Sequence, residues 1–313
     1  MILMRLSVVL PAVAALALAA SGCSAFDEGG PSTDDGVTVA AAFYPLAYVA
    51  ERVAGDHAEV ELLTQPGKEP HDLELDVDET AKISAADLVV FENGFQPAVD
   101  DAVEQNAEGV ALDVADVVDL VPAEESHEEH AEHEGEEEHD HGDADPHFWQ
   151  DPLRLADLGD AVADELAEID PDNADDYQAN AVDLRSDLER LDEQYVAGLA
   201  DCERDTIVVS HDAFGYLEKY DLHIAPLVGL SPDAEPSPAV IGDLQELIGE
   251  EGITTVFSEP LEPDLVAGLA SDLDLATATL DPIEGLADAD SDEDYGSLME
   301  TNLEAIREAN GCR

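Results

Sequence analysis

The sequence predicts an α/β protein of two lobes, each with a parallel sheet flanked by helices, joined by a long helical connection with a cleft between the lobes. Short apolar, β-prone runs alternate with helical patterns in residues 37–112, and the same alternation returns in residues 206–309. This alternation is typical of parallel sheets whose faces are covered by helices. Between the two regions, apolar residues recur in steps of four and three, which predicts an amphipathic connecting helix.

The N-terminus predicts an export signal. Arg5 precedes an apolar run over residues 6–19, which small residues and Cys23 follow. Because the run is shorter than the ~20 residues of a membrane span, we expect a signal peptide over residues 1–22. The end of this segment resembles a lipobox, in which Cys23 would carry a diacylglycerol anchor, although Ala20 stands where leucine is usual. An ordinary secretory signal is the alternative. Residues 23–36 then predict a lipid-anchored tether outside the cytoplasm.

Cysteine usage fits an exported protein. The chain has 3 cysteines, and lipidation of Cys23 leaves Cys202 and Cys312 as an even pair. We expect these two to form a disulfide, since the compartment permits one. Two free thiols are the alternative, because spacing alone does not show that the two backbones approach each other.

The charge balance excludes several partners. The chain has 11 Lys+Arg against 77 Asp+Glu, a formal net charge of −66. So negative a surface repels nucleic acid and anionic lipid headgroups, and we expect no nucleic-acid partner. The acidic residues are spread through every predicted helix, which favours adaptation to high salt over a single acidic tail. The hydrophobic fraction of 45% still supplies packed cores, and we expect a monomeric globular protein.

The N-terminal lobe is predicted over residues 37–151. Its predicted strands are residues 37–43, 60–64, 88–91 and 110–112, with one helix opened by Pro45 and another over residues 77–84. A His/Glu-rich segment over residues 124–145 interrupts the pattern. Its composition cannot build a core, so we predict a mobile surface loop.

The connecting helices are predicted over residues 152–200, and the C-terminal lobe over residues 201–313. Asp151 is the predicted N-cap of the first helix, and Pro171 follows its end. The second helix carries an apolar stripe of Tyr177, Ala181, Leu184, Leu188, Leu191 and Tyr195. The C-terminal lobe has predicted strands at residues 206–210, 224–228, 254–258 and 275–280, with helices between them.

Three residues stand where ligands collect in open α/β sheets, beyond the carboxyl ends of strands. His211 and Asp281 directly follow predicted strands, and His71 lies a few residues beyond another. His147 precedes the first connecting helix, a position that can face the cleft. Three imidazoles and one carboxylate form a tetrahedral shell that suits zinc and is poor for magnesium or calcium. The sequence therefore predicts a metal site in the interlobe cleft.

Several ordered motifs match one protein family. They are residues 66–72 (PGKEPHD), 145–152 (DPHFWQDP), 210–216 (SHDAFGY) and 230–238 (LSPDAEPSP), within a match from residues 43–46 (FYPL) to residues 310–312 (NGC). Over nearly its whole mature length the chain resembles the zinc-type metal-binding solute receptor lipoproteins of ABC transporters. The resemblance implies a receptor, not an enzyme, that captures Zn²⁺ outside the cytoplasm and delivers it to an ABC transporter permease.

The resemblance also implies ligand roles. The histidines of the first three motifs bind metal in that family, which carries over to His71, His147 and His211. In that family the acidic residue after the last strand is the fourth ligand or lies close to it, which carries over to Asp281. A glutamate near the first histidine, here Glu69, or a water molecule is the alternative fourth ligand. Manganese members typically have a carboxylate where His211 stands, so imidazole there favours zinc. A receptor for manganese or iron is the alternative.

Two further features have open interpretations. The loop histidines resemble the acidic His-rich insertion of many zinc members, which implies low-affinity metal collection, or they belong to a solvated charge run; they are His127, His130, His133, His139 and His141. Glu259 ends a predicted strand and either orients a ligand imidazole or is structural. A metal-dependent surface adhesin of the same fold is an alternative function. A zinc hydrolase with Glu259 or Asp281 as base is another, but the sequence has no His-Glu-x-x-His motif.

Overall fold

A computed structural model describes residues 36–122, 144–289 and 291–313. The predicted signal peptide, the tether up to residue 35 with Cys23, and residues 124–143 with the loop histidines lie outside the described residues. Predictions about those segments stay predictions. Among the described residues, no helix combines the length and the apolar composition needed to cross a membrane.

The N-terminal lobe is built on a four-stranded parallel sheet in the order β2-β1-β3-β4. Its elements are β1 (Val37–Ala41), α1 (Tyr44–Ala54), β2 (Ala58–Leu62), α2 (Val77–Ala85), β3 (Leu88–Phe91), α3 (Pro97–Asn106) and β4 (Val110–Asp113). The sequence analysis missed α3, because only Val99, Ala102 and Val103 of that helix are buried and so short a stripe gives a weak periodic signal.

The ends of α1 follow from local chemistry. Pro45 lies in its first turn, where a fixed φ and a missing N–H cost nothing. The helix ends at Gly55, whose φ of 56° lies in the left-handed region that glycine adopts without a steric penalty. β1 ends at Ala41, and α1 therefore begins at the carboxyl end of the sheet, beside the cleft.

The connection consists of α4 (Pro152–Ile169) and α5 (Ala174–Leu199). Asp151 caps α4 as the sequence predicts, and its Oδ1 accepts a hydrogen bond from the backbone N–H of Leu153 at 3.0 Å. Every residue of the predicted apolar stripe on α5 is buried. These two helices pack against each other and against α1.

The C-terminal lobe repeats the strand order of the first, β6-β5-β7-β8, with all neighbours parallel. Its elements are β5 (Thr206–Val209), β6 (His223–Pro226), α6 (Pro238–Glu251), β7 (Thr255–Ser258), α7 (Ala267–Leu273), β8 (Ala276–Thr279) and α8 (Tyr295–Asn310). A short 3₁₀ helix, Gly215–Tyr220, stands where the sequence predicted a regular helix after β5.

The two lobes share one buried apolar cluster. It includes Phe43 from the first lobe, Trp149 from the segment before α4, and Phe214 and Tyr295 from the second lobe. Cys202 and Cys312 form the predicted disulfide, with a sequence separation of 110, which ties the end of the chain to the segment before β5. The shared core holds the carboxyl ends of both sheets against the same cleft.

Candidate metal-binding site

Three imidazoles and one carboxylate converge in the cleft. Ligand-type atoms of His71, His147, His211 and Glu284 all lie within 4.8 Å of one another. Oε1 of Glu284 lies 3.6 Å from Nε2 of His71, 3.3 Å from Nε2 of His147 and 3.0 Å from Nε2 of His211. His147 and His211 are fully buried, whereas the His71 side chain is 11% exposed. Solvent therefore reaches the cluster most directly at His71.

The fold brings these side chains together from separate loops. His71 lies in the loop after β2, and His211 follows β5 after one residue. Glu284 lies in the loop after β8, while His147 precedes the short 3₁₀ helix Phe148–Gln150 that leads into α4. Because parallel strands direct their following loops to one edge of a sheet, the two lobes place these loops face to face.

The loop of His71 is anchored by Gln96, which the sequence analysis did not single out. The buried Gln96 Nε2 donates to the carbonyl of Pro70 at 2.9 Å and to Thr64 Oγ1 at 2.9 Å. The Thr64 hydroxyl donates in turn to the carbonyl of Ala42 at 2.8 Å. This chain of hydrogen bonds ties the residue before His71 to the end of β1.

His147 is held by a carboxylate two residues before it. Nδ1 of His147 lies 2.8 Å from Asp145 Oδ1, which also accepts the backbone N–H of His147 at 2.9 Å. Burial by itself would lower the pKa of His147, but hydrogen bonds to Asp145 and Glu284 outweigh it, so the pKa is raised. With Nδ1 engaged by Asp145, Nε2 is the nitrogen that faces the cluster.

His211 has the same arrangement with a different partner. Its Nδ1 lies 2.6 Å from Oε1 of Glu259, which also accepts hydrogen bonds from the Ser210 hydroxyl and the backbone N–H of His211. Burial would lower the pKa of His211, but hydrogen bonds to Glu259 and Glu284 raise it to about 10. Of the two interpretations of Glu259, the contact favours orientation of an imidazole.

Glu284 is the oxygen-bearing member of the cluster. Burial would raise its pKa, but the three imidazoles hold the pKa well below its usual range. The carboxylate is thus ionised. A divalent cation placed among these groups would meet three nitrogens and one anionic oxygen.

The sequence analysis placed Asp281 in this cluster, but the structure places Glu284 there instead. Oδ1 of Asp281 accepts the backbone N–H of Ile283 at 2.8 Å, so this carboxylate stabilises the turn that leads to Glu284. Oδ1 of Asn302 accepts the backbone N–H of Asp281 at 2.8 Å, and Nδ2 of Asn302 donates to the carbonyl of Asp281 at 2.7 Å. Burial raises the pKa of Asp281 to about 6. Both acidic residues follow β8, but the sequence analysis considered only Asp281.

Glu69, the predicted alternative ligand, belongs to a separate group. Its carboxylate lies within 4.8 Å of those of Asp72 and Asp233, both of which are exposed. Glu69 Oε2 accepts the backbone N–H of Asp72 at 3.2 Å, and burial raises the pKa of Glu69. His57 lies outside the site, with Nε2 3.0 Å from Asp176 Oδ2.

Comparison with known proteins matches most of the sequence to the model of a protein family. The family model of the periplasmic component A of the zinc-uptake complex matches residues 39–309. The chain belongs to the zinc-uptake complex component A family.

Two relatives and one solved structure illustrate the membership. The zinc-binding lipoprotein AdcA of Streptococcus pneumoniae is 33% identical over 320 residues, which cover 97% of this chain and 60% of AdcA. The chain therefore spans less than two thirds of AdcA. The high-affinity zinc uptake system protein ZnuA of Bacillus subtilis is 32% identical, with 94% of each chain covered. The Zn(II)-bound ZnuA-like domain of S. pneumoniae AdcA superposes with a TM-score of 0.72 at 30% identity, covering 88% of this chain and 99% of that domain.

In this family member a cavity of about 160 Å³ adjoins the exposed side of the cluster. Its lining includes His71 and Phe95 from the first lobe and Leu230 and Ser231 from the second. The lining residues come from both lobes, so the cavity is a part of the cleft. His71 is the member of the cluster that lines this cavity.

Proposed function

We propose that this protein is a receptor that captures Zn²⁺ in the interlobe cleft and delivers it to the permease of an ABC importer. The observation that carries the proposal is the convergence of His71, His147, His211 and Glu284 within 4.8 Å. Nε2 of each histidine and one carboxylate oxygen of Glu284 are the proposed ligand atoms. Three neutral nitrogens and one anionic oxygen match the tetrahedral preference of zinc.

The surroundings of the site support zinc over harder cations. Asp145 and Glu259 occupy Nδ1 of His147 and His211, which fixes each ring and leaves Nε2 for the metal. Magnesium and calcium prefer oxygen ligands, and manganese prefers carboxylates and water over imidazole. The same ligand set also suits copper, nickel and cobalt, so zinc selectivity in the cell rests on metal availability as well.

The closed character of the site supports capture over catalysis. A catalytic zinc ion keeps an open position for water or substrate, whereas four protein ligands complete a tetrahedron. His147, His211 and Glu284 are buried, so the metal would lose its water on entry. A bound ion shielded in this way is suited to transfer as cargo.

The cellular setting follows from the predicted signal peptide and from the relatives. AdcA is named a zinc-binding lipoprotein, and ZnuA is named part of a zinc uptake system. We infer that Cys23 carries a lipid anchor and that the receptor works outside the cytoplasm beside its importer. The alternative is an ordinary secretory signal, in which case the receptor would carry no lipid anchor.

Metal analysis of the full mature chain tests the proposal. Protein purified without added metal, then titrated with Zn²⁺ and Mn²⁺ in competition, should retain one tightly bound zinc that manganese does not displace. His211→Ala should lose that ion, and His57→Ala is the matched control because His57 contacts Asp176 away from the site. Displacement of zinc by equimolar manganese would overturn the choice of metal, and tight zinc binding by His211→Ala would overturn the site.

A further inference from the structure

The turn that carries Glu284 has an unusual backbone. Ile283 has a φ of 60°, in the left-handed region that a β-branched residue rarely adopts. The residue is also fully buried. A conformation of this kind persists only where surrounding contacts hold it. The contacts around the turn therefore show what keeps Glu284 against the imidazoles.

Two side chains from outside the second lobe hold the carbonyl of Pro282, directly before Ile283. The indole Nε1–H of Trp149 donates to this oxygen at 2.8 Å, and Nε2 of Gln150 donates at 2.6 Å. Both donors are fully buried. Two hydrogen bonds to one buried oxygen satisfy both of its lone pairs and fix the orientation of the peptide group.

The donors are themselves anchored in the first lobe and its connection. The Trp149 ring packs against Phe43 at 5.0 Å and Phe95 at 5.6 Å between ring centroids, and both phenylalanines follow strands of the first sheet. The backbone N–H of Tyr44 also contacts the carbonyl of Glu284 at 3.4 Å. The Glu284 turn is thus bound to the opposite side of the cleft.

From these contacts we propose that Trp149 and Gln150 are positioning residues for metal binding, which clamp the Pro282 carbonyl and so hold the strained turn that directs Glu284 onto the three imidazoles. The inference rests on the proposed role of Glu284 as a metal ligand. His147 lies two residues before Trp149, so one short segment supplies a nitrogen ligand and secures the oxygen ligand.

A double-mutant cycle tests whether Gln150 acts through Glu284. Gln150→Met keeps the side-chain volume and removes the donor, and it should raise the zinc dissociation constant about 10-fold or more, mainly through faster release. The same substitution in a Glu284→Gln background should have little further effect, because the carboxylate that it positions is already gone. Gln178→Met is the matched control, since Gln178 is an exposed glutamine that binds Asp164.

The outcomes separate the inference from the proposed function. If Glu284→Gln alone leaves zinc affinity unchanged, the ligand assignment fails and the clamp has no ligand to position. If Glu284→Gln weakens binding but the effect of Gln150→Met is undiminished in that background, Gln150 acts by another route and the clamp is overturned. Trp149→Phe is the second variant should Gln150→Met not fold, and its loss of one donor should be non-additive with Glu284→Gln in the same way.

Discussion

Nε2 of His211 and Oε1 of Glu284 lie 3.0 Å apart in the buried centre of the cleft, so the proposed nitrogen and oxygen ligands neutralise each other in the absence of metal. The contact preorganises both groups, because each is already desolvated and oriented before an ion arrives. Because hydrogen bonds to Glu259 and Glu284 raise the pKa of His211 to about 10, a proton should leave His211 when zinc binds.

Exchange of the two acidic residues after β8 should identify the oxygen ligand. Glu284→Gln replaces an anionic oxygen among three imidazoles with a neutral amide and should weaken zinc binding by about 100-fold or more, given the cost of losing a charged partner in a buried site. Asp281→Asn keeps an oxygen that can accept from Ile283 and should cost less than about 10-fold. Competition titrations against a chromophoric chelator at pH 7.5 measure both. A larger loss in Asp281→Asn than in Glu284→Gln would restore Asp281 as the ligand.

Removal of the charge behind His211 should change both affinity and its pH dependence. Glu259→Gln keeps a side-chain oxygen for the Ser210 hydroxyl but no longer stabilises a protonated His211. We expect zinc affinity about 10-fold lower at alkaline pH, where orientation of the ring dominates. The loss should shrink at pH 6, since protons compete less with the metal in the variant. Equal losses at the two pH values would indicate that Glu259 is only structural.

Zinc affinity should increase with pH through the neutral range. The pKa of His211 is raised to about 10 and that of His147 is also raised, so zinc must release protons at pH 7. Each displaced proton makes affinity rise about tenfold per pH unit below the relevant pKa. Calorimetry in buffers of different ionisation enthalpy should detect at least about one proton released per zinc at pH 7. Affinity independent of pH between 5 and 8 would contradict a histidine site.

Stability of the metal-free protein should follow the opposite course. The folded pKa of His211 lies above its ordinary value of 6.5, so its stabilising contribution is complete below pH 6.5 and is lost as pH rises through about 10. Urea unfolding of chelator-treated protein at pH 6, 8 and 10 should show the decline. His211→Gln removes the titrating group, so the free energy of unfolding of this variant should depend less on pH over the same range. Equal pH dependence in the variant and the wild type would refute a raised pKa for His211.

Loss of the Cys202–Cys312 disulfide should lower stability more than function. The bond closes a loop with a sequence separation of 110, and a constraint on so long a loop in the unfolded chain contributes about 2–4 kcal/mol. The double substitution of both cysteines by alanine should therefore lower the unfolding temperature, as measured calorimetrically. Zinc affinity should stay within about threefold of wild type, because neither cysteine is a proposed ligand; a large loss of affinity would show that the disulfide shapes the cleft.

Deletion of residues 124–143 should separate capacity from affinity. The segment contains five of the ten histidines in the chain but none of the proposed cleft ligands. The truncated protein should keep one tight zinc site, because all four proposed cleft ligands remain, and it should lose the additional weak sites that the His/Glu-rich composition of the segment predicts. Calorimetric stoichiometry of the two forms decides the question. If the tight site disappears, a histidine of that segment is a primary ligand; if stoichiometry is unchanged, the segment is a solvated charge run.

Much of the fold could be predicted from the sequence, because the patterns that specify helices and strands are local. Alternating strand and helix patterns predicted both sheets, and Pro45, Gly55 and Asp151 mark helix ends through their own backbone or side-chain chemistry. The sequence analysis did not predict α3, because the buried stripe of this helix is short. The regular helix predicted after β5 is a 3₁₀ helix, a distinction that depends on packing rather than on composition.

The sequence by itself placed His71 and His211 beyond the ends of predicted strands, and the resemblance of its motifs added His147. Only the tertiary structure put Glu284, rather than Asp281, beside the imidazoles. The turn at Ile283 and the hydrogen bonds to the Pro282 carbonyl depend on contacts between distant parts of the chain. Likewise, the pairing of Asp145 with His147 and of Glu259 with His211 depends on distances of less than 3 Å that no spacing in the chain specifies. Local sequence preferences determine the helices and strands, whereas long-range packing determines the distances between the side chains of the site.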